Sequence, residues 1–290
     1  MTGSDWIVAG IDLGPYTENV VSHAVCFATA AKARIRLLYV IDYLLTPPPY
    51  LASYIEEEKA REESQMQEWK SRLETTGTKS EYRIVLGRLH ESFREIIEET
   101  SPELLVIGYN SHALRPSSSE RLIKTLHVPM LVVRGKTAER AALGSVTVRR
   151  ILCPVDFSEN SEKAVSAAKK FASLFRAELH IVHIIPSFLI KEKWGVWKKL
   201  GEEEREKFDE VVHGEAASRL ASFCKDRGIE AGAEIHEGSP AKLISSIAEE
   251  KRCDLIVMGA RGLSYLQSIL VGSTTEAVLK SSPCPVLIVH

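Results

Sequence analysis

The chain has 290 residues, 44% of them hydrophobic and 26% charged, with a net charge of −2. That is too long for one small core and suits two ordinary domains, and the near-neutral balance gives no electrostatic reason to expect nucleic acid or an anionic membrane as a partner. No apolar run approaches the roughly 20 residues of a membrane-spanning helix, and the opening MTGSDW shows neither the basic nor the apolar region of a secretion signal.

Internal repetition organises the rest. Trp6–Ile41 aligns on Arg150–Ile185 with a shift of 144, and ten positions are identical, among them Ile7/Ile151, Asp12/Asp156, Glu18/Glu162, Phe27/Phe171 and Ala33/Ala177. In chain order, the first copy continues with a charged run at 56–63, which reads as a solvated helix face. It then reaches ELLVIG at 103–108 and closes on VPMLVVR at 128–134. GKTAERAALGSVT, at 135–147, is polar and rich in Gly and Ala, and reads as a linker. These features predict a domain over 1–135, a linker over 136–147 and a second domain over 148–290. Each copy is about 140 residues, an ordinary size for one domain.

The second copy alternates strand and helix. Arg150–Asp156 is a short apolar run ending in Asp, and Ser161–Phe175 has Val165, Ala168, Phe171, Ala172 and Phe175 at helical spacing. Glu178–Ile185 is strand-like. Glu202–Arg227 is a long helix, with Leu220, Phe223 and Cys224 on one face and Gly228 as its stop. Ala231–His236 reads as a strand and Ala241–Lys251 as a helix. Leu255–Met258 and Pro285–Val289 are strands around a helix at Thr274–Lys280, and DLIVMG and CPVLIVH repeat the two closing strands of the first copy. Apolar runs without clean alternation are buried on both faces, as in a parallel sheet covered by helices. The predicted fold class is therefore α/β: two tandem, doubly wound, Rossmann-like domains, each with five parallel strands. Such sheets bind ligands beyond the carboxyl ends of their strands, where Asp156, Ile184 and Gly259 fall.

The spacing Gly259-x2-Gly262-x9-Gly272-Ser273 is the most informative motif. A strand, a glycine loop and a helix in this order aim backbone N–H groups and a helix dipole at one spot, and glycine lets an anion approach closely. No G-K-[ST] ending is present, so this is not a P-loop. Ser273-Thr-Thr-Glu276 also fits a capping box, which accounts for the serine without a ligand. The first copy keeps that pattern as Ser117-Ser-Ser-Glu120. It has Ser111 and Pro116 in place of the second and third glycines, in a loop five residues shorter. The glycines thus point to a ligand, and the serine and glutamate to the helix.

The tandem copies, Val155-Asp156 at the end of the first strand and the Gly259–Ser273 motif resemble the universal stress protein family, in particular its tandem two-domain, ATP-binding members. The resemblance spans nearly the whole chain. It implies an adenine nucleotide alpha hydrolase-like fold and ATP, with or without Mg2+, as cofactor. It implies that Asp156 contacts adenine, that the Ile184 backbone lines the adenine pocket and that Gly259 lies by the ribose. Gly262, Gly272 and Ser273, together with Thr274, would hold the phosphates. The first copy keeps Asp12 but not the glycines, so an adenine-like half-pocket is expected there without triphosphate binding. The resemblance also implies an intramolecular pseudo-dimer through the edges at Met130–Arg134 and Val286–His290, with homodimerisation as a further step and an unidentified protein partner as reader.

Other residues carry less. Asp156 also fits as a helix cap, although Ser158, Asn160 and Ser161 are available for that. Arg261 fits either a phosphate donor or a solvated loop arginine. His180 and His183, three apart in a strand, point to opposite faces, so a shared metal site is not expected. EKWGVWKK, at 192–199, reads as a lid or an inter-copy contact rather than a nucleic-acid platform. The cysteines, Cys26, Cys153, Cys224, Cys253 and Cys284, are odd in number and form no CxxC, so a reducing cytoplasm is the expected compartment. No hydrolytic motif is present and no catalytic residue is assigned. The expected function is a nucleotide-dependent stress-response or regulatory protein. The alternatives are an interaction module without nucleotide, and a slow ATPase or adenylating enzyme.

Overall fold

The computed structural model describes residues 5–42, 52–109, 118–134, 142–187, 201–229, 232–262 and 271–290. The chain divides into two compact units, Met1–Thr147 and Val148–His290. The expectations about Ser111, Pro116, Ser117, the 192–199 stretch and the 135–141 part of the linker lie outside the described residues.

The first unit runs β1 (Trp6–Gly10), α1 (Thr17–Ala31), β2 (Arg34–Asp42), α2 (Ala52–Thr75), β3 (Ser80–Gly87), α3 (Leu89–Thr100), β4 (Leu104–Tyr109), α4 (Ser118–Thr125) and β5 (Met130–Arg134). The second runs β6 (Arg150–Val155), α5 (Glu159–Phe175), β7 (Glu178–Pro186), α6 (Glu202–Asp226), β8 (Ala233–Gly238), α7 (Pro240–Glu250), β9 (Leu255–Gly259), α8 (Ser273–Ser281) and β10 (Val286–Val289). Strand order is β3-β2-β1-β4-β5 in the first unit and β8-β7-β6-β9-β10 in the second, and neighbouring strands within each unit are parallel. Both are doubly wound sheets. The order reverses between β1 and β4, and between β6 and β9, and each reversal opens a crevice at the carboxyl ends.

The inner strands owe their burial to helices on both faces. All of Leu104–Ile107 and all of Leu255–Met258 are buried. The outer strands β3 and β8 are mostly half-buried, so their hydropathy signal is weak. β8 accordingly lies two residues beyond the predicted Ala231–His236, in the register Ala233↔Ile181 to Gly238↔Pro186 set by β7. On α5, Val165, Ala168 and Phe171 are buried, as are Leu220, Phe223 and Cys224 on α6 and Ile244, Ile247 and Ala248 on α7. No helix among the described residues is long and apolar enough to cross a membrane.

Two pairs of positions show how each unit solves the same packing problem. A Cβ on Gly10 would lie 2.6 Å from Phe93 Cζ, so the Phe93 ring on α3 sits directly on the end of β1. The matching places in the second unit hold Pro154 and Ile244, a larger strand residue and a smaller helix residue that line the same cleft. In the other case the two units agree. α1 and α5 end on Lys32 and Arg176, 144 residues apart and both at φ 54. The next N–H in each returns to Ala28 O and Ala172 O at 2.9 Å. This closing turn favours glycine, because a side chain in the left-handed region costs about 1 kcal/mol or more. Arg176→Gly should therefore stabilise the second unit by about 0.5–1 kcal/mol, read as a higher urea midpoint at unchanged slope.

Candidate functional site

The crevice of the second unit is a cleft of about 340 Å³, within the range of small-molecule sites. One wall is apolar: Val155 from β6, Ile184 and Pro186 from β7, Pro240 and Ile244 from α7, and Met258 from β9. The other wall is polar and carries Asp156, Arg261, Gly262, Ser273 and Thr274, with Gly259 and Gly272 between them. The eight residues singled out in the sequence thus all line one cavity. The apolar wall beyond Ile184 was not singled out, because its members look like ordinary core residues until the fold brings them to one rim.

Asp156 is held by the turn it makes. Its Oδ1 accepts the Ser158 N–H at 3.0 Å, and the intervening Phe157 takes a left-handed φ of 63. The helix cap is Ser158, whose Oγ accepts the Ser161 N–H at 3.2 Å. Asp156 is therefore a turn former rather than the cap of α5, and its second oxygen is turned toward Gly262. A Cβ on Gly262 would lie 2.2 Å from Asp156 Oδ2. The first unit repeats this turn with Asp12, whose Oδ1 accepts the Gly14 N–H at 2.9 Å around Leu13 at φ 53.

The three motif glycines do three different jobs. Gly259 is a packing glycine: an added Cβ would meet the Asn160 backbone at 2.9 Å, where the first turn of α5 rests on β9. Gly262 leaves room for the Asp156 carboxylate. Among the described residues nothing makes such a demand of Gly272. Its φ is −71, and an added Cβ would come no closer than 3.5 Å to its neighbours. Its N–H is bonded to Ala260 O at 2.8 Å, so what it offers a ligand is space rather than a donor.

The capping box predicted for the second unit does not form. The cap of α8 is Gly272, and Ser273 is already the first helical residue, with no side-chain cap bond. The Glu276 N–H goes to Gly272 O at 2.9 Å and its carboxylate pairs with Lys280 at 3.0 Å. In the first unit the Glu120 carboxylate accepts the Tyr109 hydroxyl at 3.0 Å. What the two copies do share is a hydroxyl one turn position further on. Thr275 Oγ1 donates to Gly259 O at 3.0 Å, and Ser119 Oγ donates to Gly108 O. These bonds tie each helix to the end of its strand, and the repeated Ser/Thr was the signal for them. With the cap residue a glycine, the Ser273 and Thr274 N–H groups at the start of α8 meet no acceptor among the described residues, which leaves them available to an anion. Arg261, half-buried on the same rim, adds a cation.

Behind Asp156, Phe157 stacks on His183 with centroids 4.5 Å apart, meets Phe223 edge-on at 5.5 Å, and lies under the Arg219 guanidinium at 4.5 Å. His183 Nδ1 donates to Val155 O at 2.8 Å, which fixes the tautomer. His180 instead lies 3.4 Å from Glu178. Among the described residues no group of three His, Cys, Asp or Glu is placed to hold a metal.

The family model described as Universal stress protein family matches residues 5–134 and 138–290. The chain belongs to the universal stress protein family. Both units are thus universal stress protein domains in tandem. Two universal stress proteins of Methanocaldococcus jannaschii are similar to it. One is 33% identical over 148 residues, spanning 50% of this chain and 84% of the relative. The other is 35% identical over 157 residues, spanning 50% of this chain and 96% of the relative. The crystal structure of a universal stress protein from Archaeoglobus fulgidus covers 99% of this chain and 98% of its own, with a TM-score of 0.68 at 24% identity, so the whole tandem fold is shared.

Burial holds the His183 imidazole below the ordinary histidine range, with the Val155 carbonyl opposing. His23 on α1 is lowered in the same way by burial, against its bond to Asn19 O. Folded pKa values below the unfolded value of about 6.5 mean that the unfolded chain binds more protons as pH falls. Stability should therefore be full above about pH 6.5 and decline below it. Denaturant midpoints at neutral and mildly acidic pH should show this loss, and His183→Phe should reduce it for the second unit.

Proposed function

We propose that the second domain binds ATP or a closely related adenine nucleotide, and that the protein acts as a nucleotide-dependent regulator in a stress response. The observation that carries this reading is the division of one cleft into two chemistries. The apolar lining supplied by Val155, Ile184 and Met258 suits a purine ring. The Asp156 carboxylate at its mouth suits an exocyclic amine donor. The polar rim suits polyphosphate: the Ser273 and Thr274 N–H groups lie at the positive end of α8, beside Arg261. Gly272 strengthens the case, because the described residues give no steric reason for a glycine there and an approaching phosphate does. Membership of the universal stress protein family supports a nucleotide-binding role at the same level.

The reading is of binding and release. No residue is assigned to phosphoryl transfer, and where Mg2+ accompanies the nucleotide, the hydroxyls of Ser273 and Thr274 on the polar rim would be candidate donors to it. Occupancy would be read by a protein partner.

Calorimetric titration of the full chain with ATP tests this reading. One ATP per chain is expected. Asp156→Ala should weaken binding at least about tenfold, or about 1.4 kcal/mol. Gly272→Val should do the same with the thermal transition nearly unchanged, since the first carbon of its side chain has room. Gly262→Val acts on both ends, because it pushes Asp156 aside as well as filling the loop. Wild-type affinity in Gly272→Val would refute the phosphate assignment, and an absence of ATP binding would refute the function.

A further inference from the structure

We propose that Arg219, an exposed residue of α6 outside the lining of the cleft, is a positioning residue for the nucleotide, acting on Asp156 through the ring of Phe157. The proposal rests on the reading of the second domain's cleft as a nucleotide site. It adds to that reading a residue that no nucleotide in the cleft would touch.

Phe157 joins the two. Its backbone is the middle of the Asp156 turn, at a left-handed φ of 63 that a phenylalanine resists. Its ring meets His183 at 4.5 Å, Phe223 edge-on at 5.5 Å and the Arg219 guanidinium at 4.5 Å. Two of these neighbours are themselves fixed. His183 Nδ1 donates to Val155 O at 2.8 Å. Phe223 is 7% exposed and lies against the Arg227 guanidinium at 3.8 Å, which pairs with Glu162 at 2.6 Å. Arg219 differs. Among the described residues no carboxylate pairs with its guanidinium, and its directed contact is the Phe157 ring. A cation over an aromatic face is attracted by the ring quadrupole, so Arg219 holds the ring, and with it the Phe157 backbone, in the turn. When the ring lifts, Phe157 is free to leave the left-handed region. The Ser158 N–H then parts from Asp156 Oδ1 and the carboxylate loses its orientation.

The ordinary reading of Arg219 is a surface arginine whose stem covers an apolar ring. Comparison of the copies weighs against it. The first domain makes the same turn with Leu13 at φ 53, so the turn itself does not require an aromatic clamp. Gly77 and Gly228, both at positive φ, follow α2 and α6. Counting back from them, Glu68 stands in the place of Arg219 and Arg72 in that of Phe223. The cation, the ring beneath it and the glycines Gly262 and Gly272 therefore occur together in one copy and are replaced together in the other. A clamp that the fold can omit, kept beside the aspartate of the copy that has the glycine loop, is placed to serve the ligand.

Titration calorimetry on the full chain tests the link. Arg219→Ala should weaken ATP about two- to fivefold, and adenosine by the same factor, because the change acts at the base end. Arg219→Lys, which keeps a cation over the ring, should retain wild-type affinity. Arg219→Met, which keeps only an apolar stem, should lose as much as Arg219→Ala. In an Asp156→Ala background, Arg219→Ala should have no further effect. A second readout needs no nucleotide: amide exchange at Ser158, whose N–H is held by Asp156, should speed up in Arg219→Ala and be restored in Arg219→Lys. Wild-type affinity in Arg219→Ala or Arg219→Met, an undiminished effect of Arg219→Ala without Asp156, or unchanged Ser158 exchange would each overturn the proposal. These outcomes are separable from the fate of the nucleotide reading. ATP binding that ignores Arg219 sinks the positioning role alone. A wild-type chain that binds no ATP removes the ligand from both, and Ser158 exchange still decides whether Arg219 orients Asp156.

Discussion

Both crevices depend on one small turn, made twice. An aspartate at the end of the first strand accepts the N–H two residues ahead and forces the residue between them into the left-handed region. A leucine or phenylalanine is a poor occupant of that conformation, so the hydrogen bond and the packing around it must hold it there. In the second domain, Phe157 is clamped by His183, Phe223 and Arg219. The return is positional: a carboxylate stands upright at the point where the strand order reverses, with one oxygen fixed by the backbone and the other directed over the crevice. The helix that follows is capped by a different residue, so the aspartate keeps its orientation as that helix packs down.

Around this turn the glycines divide their labour. Gly259 lets α5 rest on β9, a requirement of the fold that the first domain meets with Gly108 beside Val20. Gly262 is needed by the aspartate, and Gly272 by nothing among the described residues. A motif that reads as one ligand signature is therefore a packing glycine, a glycine that accommodates a side chain, and a glycine left for a guest. Removing them would have three different consequences: a fold defect, a displaced carboxylate and a blocked rim.

Much of this was legible in the sequence because repetition supplied an internal control. The alternating strands and helices, the two units and the place of Asp156, Ile184 and Gly259 at strand ends follow from periodicity and from comparing the copies, whereas the lining of one pocket by Asp156 and Ile184 is what the family resemblance implies. Less legible was anything decided by a one-residue offset. Ser273 has the composition of a cap, yet Gly272 takes that place because its N–H is tied to Ala260 and its carbonyl takes the Glu276 N–H. The tie from Thr275 to Gly259 crosses 16 residues of chain, which local pattern reading does not span. The β8 boundary slipped because an outer strand has little hydrophobic contrast, and pairing with β7 sets its ends.

The exchange of bulk between strand and helix at Gly10–Phe93 and Pro154–Ile244 carries one more implication. Each unit's cleft floor is a matched pair drawn from two distant segments, so the pair behaves as a single unit of inheritance. A side chain placed at 10 meets the Phe93 ring already in its space, so it requires that ring to move. Converting one floor into the other therefore asks for coordinated change at both positions.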